Sequence, residues 1–148
     1  MPQFLVFLLF VFSVIQSPSN YATDKLDAVT QFKLAGQYGT LGLMAHNTKA
    51  GRYFDQLKTG DSILVIYADR NQEYKITTIE RYQALEPLSV YSEFVSLGDS
   101  SKFRAGDLFM RIYGAKDKRL VLQTCIAANG NTSWGRLFII AYPVEATK

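Results

Sequence analysis

The stretch Arg119-Leu120-Val121-Leu122-Gln123-Thr124-Cys125 carries the only cysteine of the 148-residue chain to the end of a short apolar run. Its length and composition predict a β-strand, in which successive side chains point to opposite faces. Leu120, Leu122 and Thr124 then share one face, and Val121, Gln123 and Cys125 the other. A lone cysteine is most often a small buried hydrophobe. Two other residues change that reading. His46, the only histidine, follows the apolar strand Thr40-Leu41-Gly42-Leu43-Met44-Ala45, and Arg136 opens a third strand, Leu137-Phe138-Ile139-Ile140-Ala141. Three side chains with chemistry to offer stand at strand boundaries, in the order His, Cys, Arg.

Outward from this stretch, turn signals recur about every ten residues. On its N-terminal side, Leu108, Phe109, Ile112 and Tyr113 keep helical spacing, and Gly114 suits the helix end. The tract Leu88 to Gly114 does not read as a strand. Pro87 closes the strand before it, because proline has no N–H for the ladder. Asp61 to Ala68 and Glu73 to Leu85 read as an antiparallel hairpin across the polar turn Ala68 to Gln72. Val29 to Leu34 reads as a strand, with Gly36 and Gly39 turning the chain toward His46, and Ala50 to Leu57 as a short helix. On the C-terminal side, residues 126 to 133 form a loop into the Arg136 strand. The pattern predicts a mostly β domain, a small closed or nearly closed barrel with short helices in its connections.

Composition excludes several classes. One domain is expected at this length, with a core large enough to fold without covalent staples. A single cysteine cannot form an intramolecular disulfide, and with one histidine no zinc constellation is available, so neither metal nor cofactor is expected. The formal charge of +3 arises from 16 basic and 13 acidic residues spread along the chain. The tightest basic group, Lys116-Asp117-Lys118-Arg119, reads as a solvated turn and not as a nucleic-acid patch.

Residues 4 to 15 are almost wholly apolar and carry no charge. A helix of that length, at about 1.5 Å per residue, falls short of a bilayer core of about 30 Å, so the run reads as a signal-peptide core or N-terminal membrane segment. Small polar residues follow, with candidate cleavage points after Ser19 or Ala22. No Lys or Arg precedes the run. The domain plan is thus 1–22 for targeting and 23–148 for the folded unit. Export would place an unpaired thiol outside the cytoplasm, where it is more readily explained by reactivity.

At its three strand-boundary residues the chain resembles the sortases, cysteine transpeptidases of bacterial surfaces. Val121-Leu122-Gln123-Thr124-Cys125 is similar to the signature TLxTC, with Val121 in place of the first Thr. Ala45-His46-Asn47 resembles the family's histidine site and Trp134-Gly135-Arg136 its arginine site. Phe54 to Ile63 resembles its short helix and Gly-Asp turn. The likeness covers roughly residues 38 to 142. It implies a mixed parallel and antiparallel barrel, a connection at Leu88 to Gly114 that walls a substrate groove, and a site of His46, Cys125 and Arg136. Thr124 matches a position implied to hold substrate or oxyanion.

The residue chemistry agrees with that implication. A thiol with the ordinary pKa of about 8.5 is only partly ionised near neutrality, and neighbouring cations favour its nucleophilic anion. Cys125 is the nucleophile. Imidazole is the side chain suited to give and take protons near neutrality, which makes His46 the general acid and then base. An arginine holds its proton too tightly for that task, so Arg136 acts as a hydrogen-bond donor to oxyanion or substrate backbone. The resemblance implies a C-terminal sorting signal of the LPxTG type as first substrate, and a cell-wall or pilin amine as acceptor.

Other readings fit less well. Papain-like enzymes place Cys before His, the reverse of the order here. Chymotrypsin-like cysteine proteases carry the nucleophile in a Gly-rich turn, whereas Thr124-Cys125-Ile126 belongs to a strand. A thiol hydrolase and a peptide-binding protein without catalysis remain as alternatives. A binding protein has no need of all three side chains.

Overall fold

The computed structural model describes residues 10–145. The start of the apolar run, residues 4 to 9, lies outside the described residues. The strands are β1 (Ser13–Ser19), β2 (Ala28–Phe32), β3 (Leu41–Met44), β4 (Ser62–Ile66), β5 (Asn71–Ala84), β6 (Phe94–Ser96), β7 (Lys102–Phe103), β8 (Leu120–Ala128) and β9 (Asn131–Pro143). Helices are few: α1 (Lys33–Gly36), a 3-10 helix at Ala50–Gln56, and α2 (Ala105–Tyr113).

All nine strands join one mixed sheet in the order β1-β2-β3-β8-β9-β5-β6-β7, with β4 paired to β5. β1 with β2 and β3 with β8 run parallel, and every other pairing is antiparallel. Among the described residues no ladder joins β1 to β7, so hydrogen bonding does not close the sheet into a complete barrel. The mostly β character expected from the chain is present.

The centre of the sheet is buried on both faces, which explains why β8 and β9 read as almost continuous apolar runs. Leu120, Leu122, Leu137, Ile139 and Ala141 pack on one face with Val29, Leu43, Ala50 and Phe54. Val121, Phe138 and Ile140 pack on the other with Tyr82 and with Leu108, Ile112 and Tyr113 of α2. Burying one such side chain stabilises the fold by about 1.5–3 kcal/mol. A slip of the strand centre by one residue would therefore exchange the two sets and press each into packing shaped for the other.

Several expectations need correction. β2 stops at Phe32, two residues short of Leu34, because the chain turns into α1. The tract Leu88 to Gly114 holds two short strands, β6 and β7, before α2; at three and two residues they are too brief to show alternation. Residues 126 to 133 are not a loop. β8 continues to Ala128, β9 starts at Asn131, and only Asn129 and Gly130 intervene, with φ of 51° and 75°. Positive φ at both positions is the Asn-Gly hairpin turn, which matches strand twist.

The basic group before β8 is not simply solvated either. Arg119 is mostly buried, 11% exposed, and its guanidinium grips Asp117 through two bonds of 2.8 and 2.7 Å. It also donates to Tyr142 Oη at 2.9 Å and to the Ile112 carbonyl at 3.2 Å, tying the end of α2 to β9. Arg111 of α2 makes a second tie through Glu80 of β5. β1 occupies part of the segment assigned to targeting: Ser13, Val14 and Ile15 pair with Ala28, Val29 and Thr30.

Candidate functional site

Strand order places the strands that carry or lead to the three candidate residues side by side. β8, which carries Cys125, lies between β3, which leads to His46, and β9, which carries Arg136. Cys125 and Arg136 are opposite each other in the β8–β9 register. In the parallel β3–β8 ladder, Met44 is level with Gln123 and the Ala45 amide donates to the Gln123 carbonyl at 3.1 Å. Continuing that register by two residues puts His46 at the level of Cys125.

Cys125 is a free, half-buried thiol. It is not the last residue of its strand, as the sequence reading had it, but sits three before the end. Arg136 likewise lies inside β9 and does not open it. Alternation sets Cys125 and Arg136 on the face of Gln123, Val121, Phe138 and Ile140. α2 covers that face at Gln123, whose side chain accepts a hydrogen bond from Tyr113 Oη. Beyond Gln123 the face opens at Cys125.

His46 follows β3 in a turn that is locked from two sides. Its carbonyl accepts from the Lys49 and Gly51 amides at 2.9 and 3.0 Å. Asn47 Nδ2 donates to the Thr132 carbonyl at 2.9 Å, fastening this turn to the β8–β9 hairpin. The imidazole Nε2 lies 3.5 Å from Asp24 Oδ1, with the His46 side chain 44% exposed and Asp24 almost fully exposed. Solvent screens such a contact.

Arg136 uses its guanidinium on the chain itself. Nη1 donates to the carbonyls of Ser133 and Gly135, each at 2.9 Å, and Nη2 to that of Pro87 at 3.4 Å. The guanidinium carbon stands 5.9 Å from the centre of the Phe94 ring. The connection between β5 and β6 therefore reaches the candidate site through Arg136.

Thr124 is placed differently from the other three. Its side chain points to the opposite face, is buried, and its Oγ1 has no hydrogen-bond partner among the described residues. The 3-10 helix covers it there. A Cβ built on Gly51 would come within 2.2 Å of Thr124 Oγ1 and 2.8 Å of the His46 carbonyl, so only glycine lets this helix approach. Any contact between Thr124 and a ligand on the Cys125 face would run through its main chain.

The ties made by Asn47 and Gly51 were missed in the sequence. Nothing local distinguishes Asn47, since its partner Thr132 lies 85 positions away. A recess of about 430 Å³ lies off β5 between Glu80, Tyr82, Asp99, Ser101, Phe103 and Arg111, and its lining does not include Cys125.

A model of the sortase domain family matches residues 13–144. Among solved structures, a sortase D5 transpeptidase from Clostridium perfringens aligns with a TM-score of 0.52 at 16% identity, over 80% of this chain and 63% of that one. Sortase C1 from Streptococcus agalactiae aligns with a TM-score of 0.51 at 15% identity, over 82% of this chain and 56% of that one. The chain thus spans less than two thirds of the length of these structures. A search of curated proteins finds no match.

Proposed function

The chain belongs to the sortase family, and from that premise we propose that it is a cysteine transpeptidase in which Cys125, His46 and Arg136 perform acyl transfer. The observation that carries this reading is the adjacency of β3, β8 and β9, with Cys125 and Arg136 opposite each other in register. Sγ, as the thiolate, attacks a peptide carbonyl and forms a C–S bond. The carbonyl π electrons move to oxygen, where Arg136 donors stabilise the developing charge. Collapse breaks the C–N bond, His46 protonates the departing amine, and a thioester remains on Cys125. An incoming amine then loses a proton to His46, attacks the thioester, and releases the thiolate with a new amide bond.

The substrate is a surface protein with a C-terminal sorting signal, and the acceptor an amine on cell wall or pilin, outside the cytoplasm. Leu88 to Gly114 selects the peptide. Its tip is apolar and free, with Leu88 93%, Val90 81% and Tyr91 86% exposed. The segment 1–22 exports the domain. Pairing of β1 with β2 supports a retained segment over a cleaved one, since cleavage after Ser19 or Ala22 would strip β1 from the sheet edge. No helix among the described residues is long and apolar enough to cross a membrane.

The test combines the purified chain with a peptide library and a set of amines, read by mass spectrometry. Amine-dependent ligation that is lost in Cys125→Ala supports the proposal. Cleavage that no amine diverts makes the chain a thiol hydrolase, and binding without bond cleavage makes it a peptide-binding protein.

A further inference from the structure

We infer that Phe94 is a positioning residue for Arg136, and that the base of the β5–β6 connection forms the seat that aims its guanidinium. The inference deepens the proposed function and rests on it for the role of Arg136 at Cys125. Three observations meet at this seat. The Pro87 carbonyl accepts from Nη2, the Phe94 ring stands beneath the guanidinium, and both Nη1 protons are taken by the Ser133 and Gly135 carbonyls. Nε and Nη2 are then the donors that a reacting carbonyl would meet.

The seat is itself held in place. The Leu85 amide donates to the Glu93 carbonyl at 2.9 Å, which closes the base of the connection. Within it, the Glu86 amide donates to Ser92 Oγ at 2.9 Å, and Ser92 is 1% exposed. Phe94 pairs with Ala84 of β5 on one side and Phe103 of β7 on the other. The base is ordered while the tip at Leu88 to Tyr91 stands in solvent.

The Ser133 and Gly135 carbonyls both hold Nη1, whereas Nη2 is held by the Pro87 carbonyl only at 3.4 Å, so the Nη2 end of the fork is the less firmly fixed. An aromatic face fixes its plane, through an attraction of about 0.5–1 kcal/mol where solvent has access. Losing that face would let the fork rotate away from the geometry that serves Cys125, without removing the charge.

The first readout is the order parameter of the Arg136 Nε–H bond by nuclear magnetic resonance, which needs no substrate. In the wild type it is high, and in Phe94→Leu it falls toward the value of an exposed arginine such as Arg104. Phe94→Tyr retains the wild-type value. Phe94→Met, flexible and without a π face, replaces Phe94→Leu if that variant lowers the melting temperature. The second readout is labelling of Cys125 by iodoacetamide, slowed about 2- to 5-fold in Phe94→Leu and restored in Phe94→Tyr. An unchanged order parameter in both Phe94→Leu and Phe94→Met overturns the inference. If Arg136 becomes mobile while Arg136→Ala labels as fast as wild type, the positioning stands and the role of Arg136 at Cys125 falls.

Discussion

Cys125 and Arg136 are direct cross-strand partners, joined by a hairpin whose turn is only Asn129 and Gly130. A register shift between Ile126 and Ala128 separates this pair from the turn, and the unbroken ladder from Leu120 to Ile126 fixes the register and with it the face. A slip by one residue would send the Arg136 side chain to the opposite side of the sheet from the thiol. Buried apolar residues on both faces of β8 and β9 oppose that slip.

Thr124→Val is expected to raise stability by on the order of 1 kcal/mol, since a buried hydroxyl without a partner carries an unrecovered desolvation cost. Calorimetry would show a melting temperature higher by ~3 °C, with acylation of Cys125 close to wild type. Loss of acylation with unchanged stability would mean that the hydroxyl reaches the substrate after all.

Acid stability should depend on Asp117. Hydrogen bonds from Arg119, aided by Tyr142, hold its carboxyl down at about 2, below the usual 3.8. A depressed folded-state value gives stability that is present above about pH 4 and is lost as pH falls through about 2. The group is partly exposed, so the contribution is on the order of 1 kcal/mol. Asp117→Asn should therefore lower stability at pH 6 and lessen its decline between pH 4 and 2. Parallel curves for variant and wild type would show that the Arg119 clamp does not matter to folding.

How much of this was legible in the sequence depends on the range of the interactions. β8 and its neighbours were readable because their apolar runs are long. The hairpin of β4 and β5 was readable because its turn is polar. The likeness around His46, Cys125 and Arg136 pointed to the family that the whole-chain match then established. β6 and β7 escaped because such short strands carry no period. The Asn129-Gly130 turn was visible as a signal, but the polar residues around it suggested a longer loop. The seat of Arg136 was not legible at all, because Pro87 lies 49 positions from it. The open sheet edges follow from pairings that local pattern does not encode.

Protein purified from a bacterial host should keep β1. Mass spectrometry of its N-terminus is expected to find residues 13–19 still attached, as the pairing of Ser13 to Ile15 with β2 requires. A mature N-terminus at Asn20 or Thr23 in a folded, active protein would show that the sheet tolerates β2 as its edge.

In the proposed function, Cys125 carries an acyl group between a peptide and an amine with the help of Arg136. Intact-mass measurement of the chain mixed with a peptide that it cleaves, first alone and then with the acceptor amine, tests this directly. The account predicts a thioester adduct on Cys125 that turns over slowly in water and yields ligated product with amine. In Arg136→Ala adduct formation should fall by about 10²- to 10³-fold, and Arg136→Lys should recover little, because one ammonium lacks the planar fork of donors. Full adduct formation in Arg136→Ala, or cleavage with no adduct on Cys125, would contradict the account.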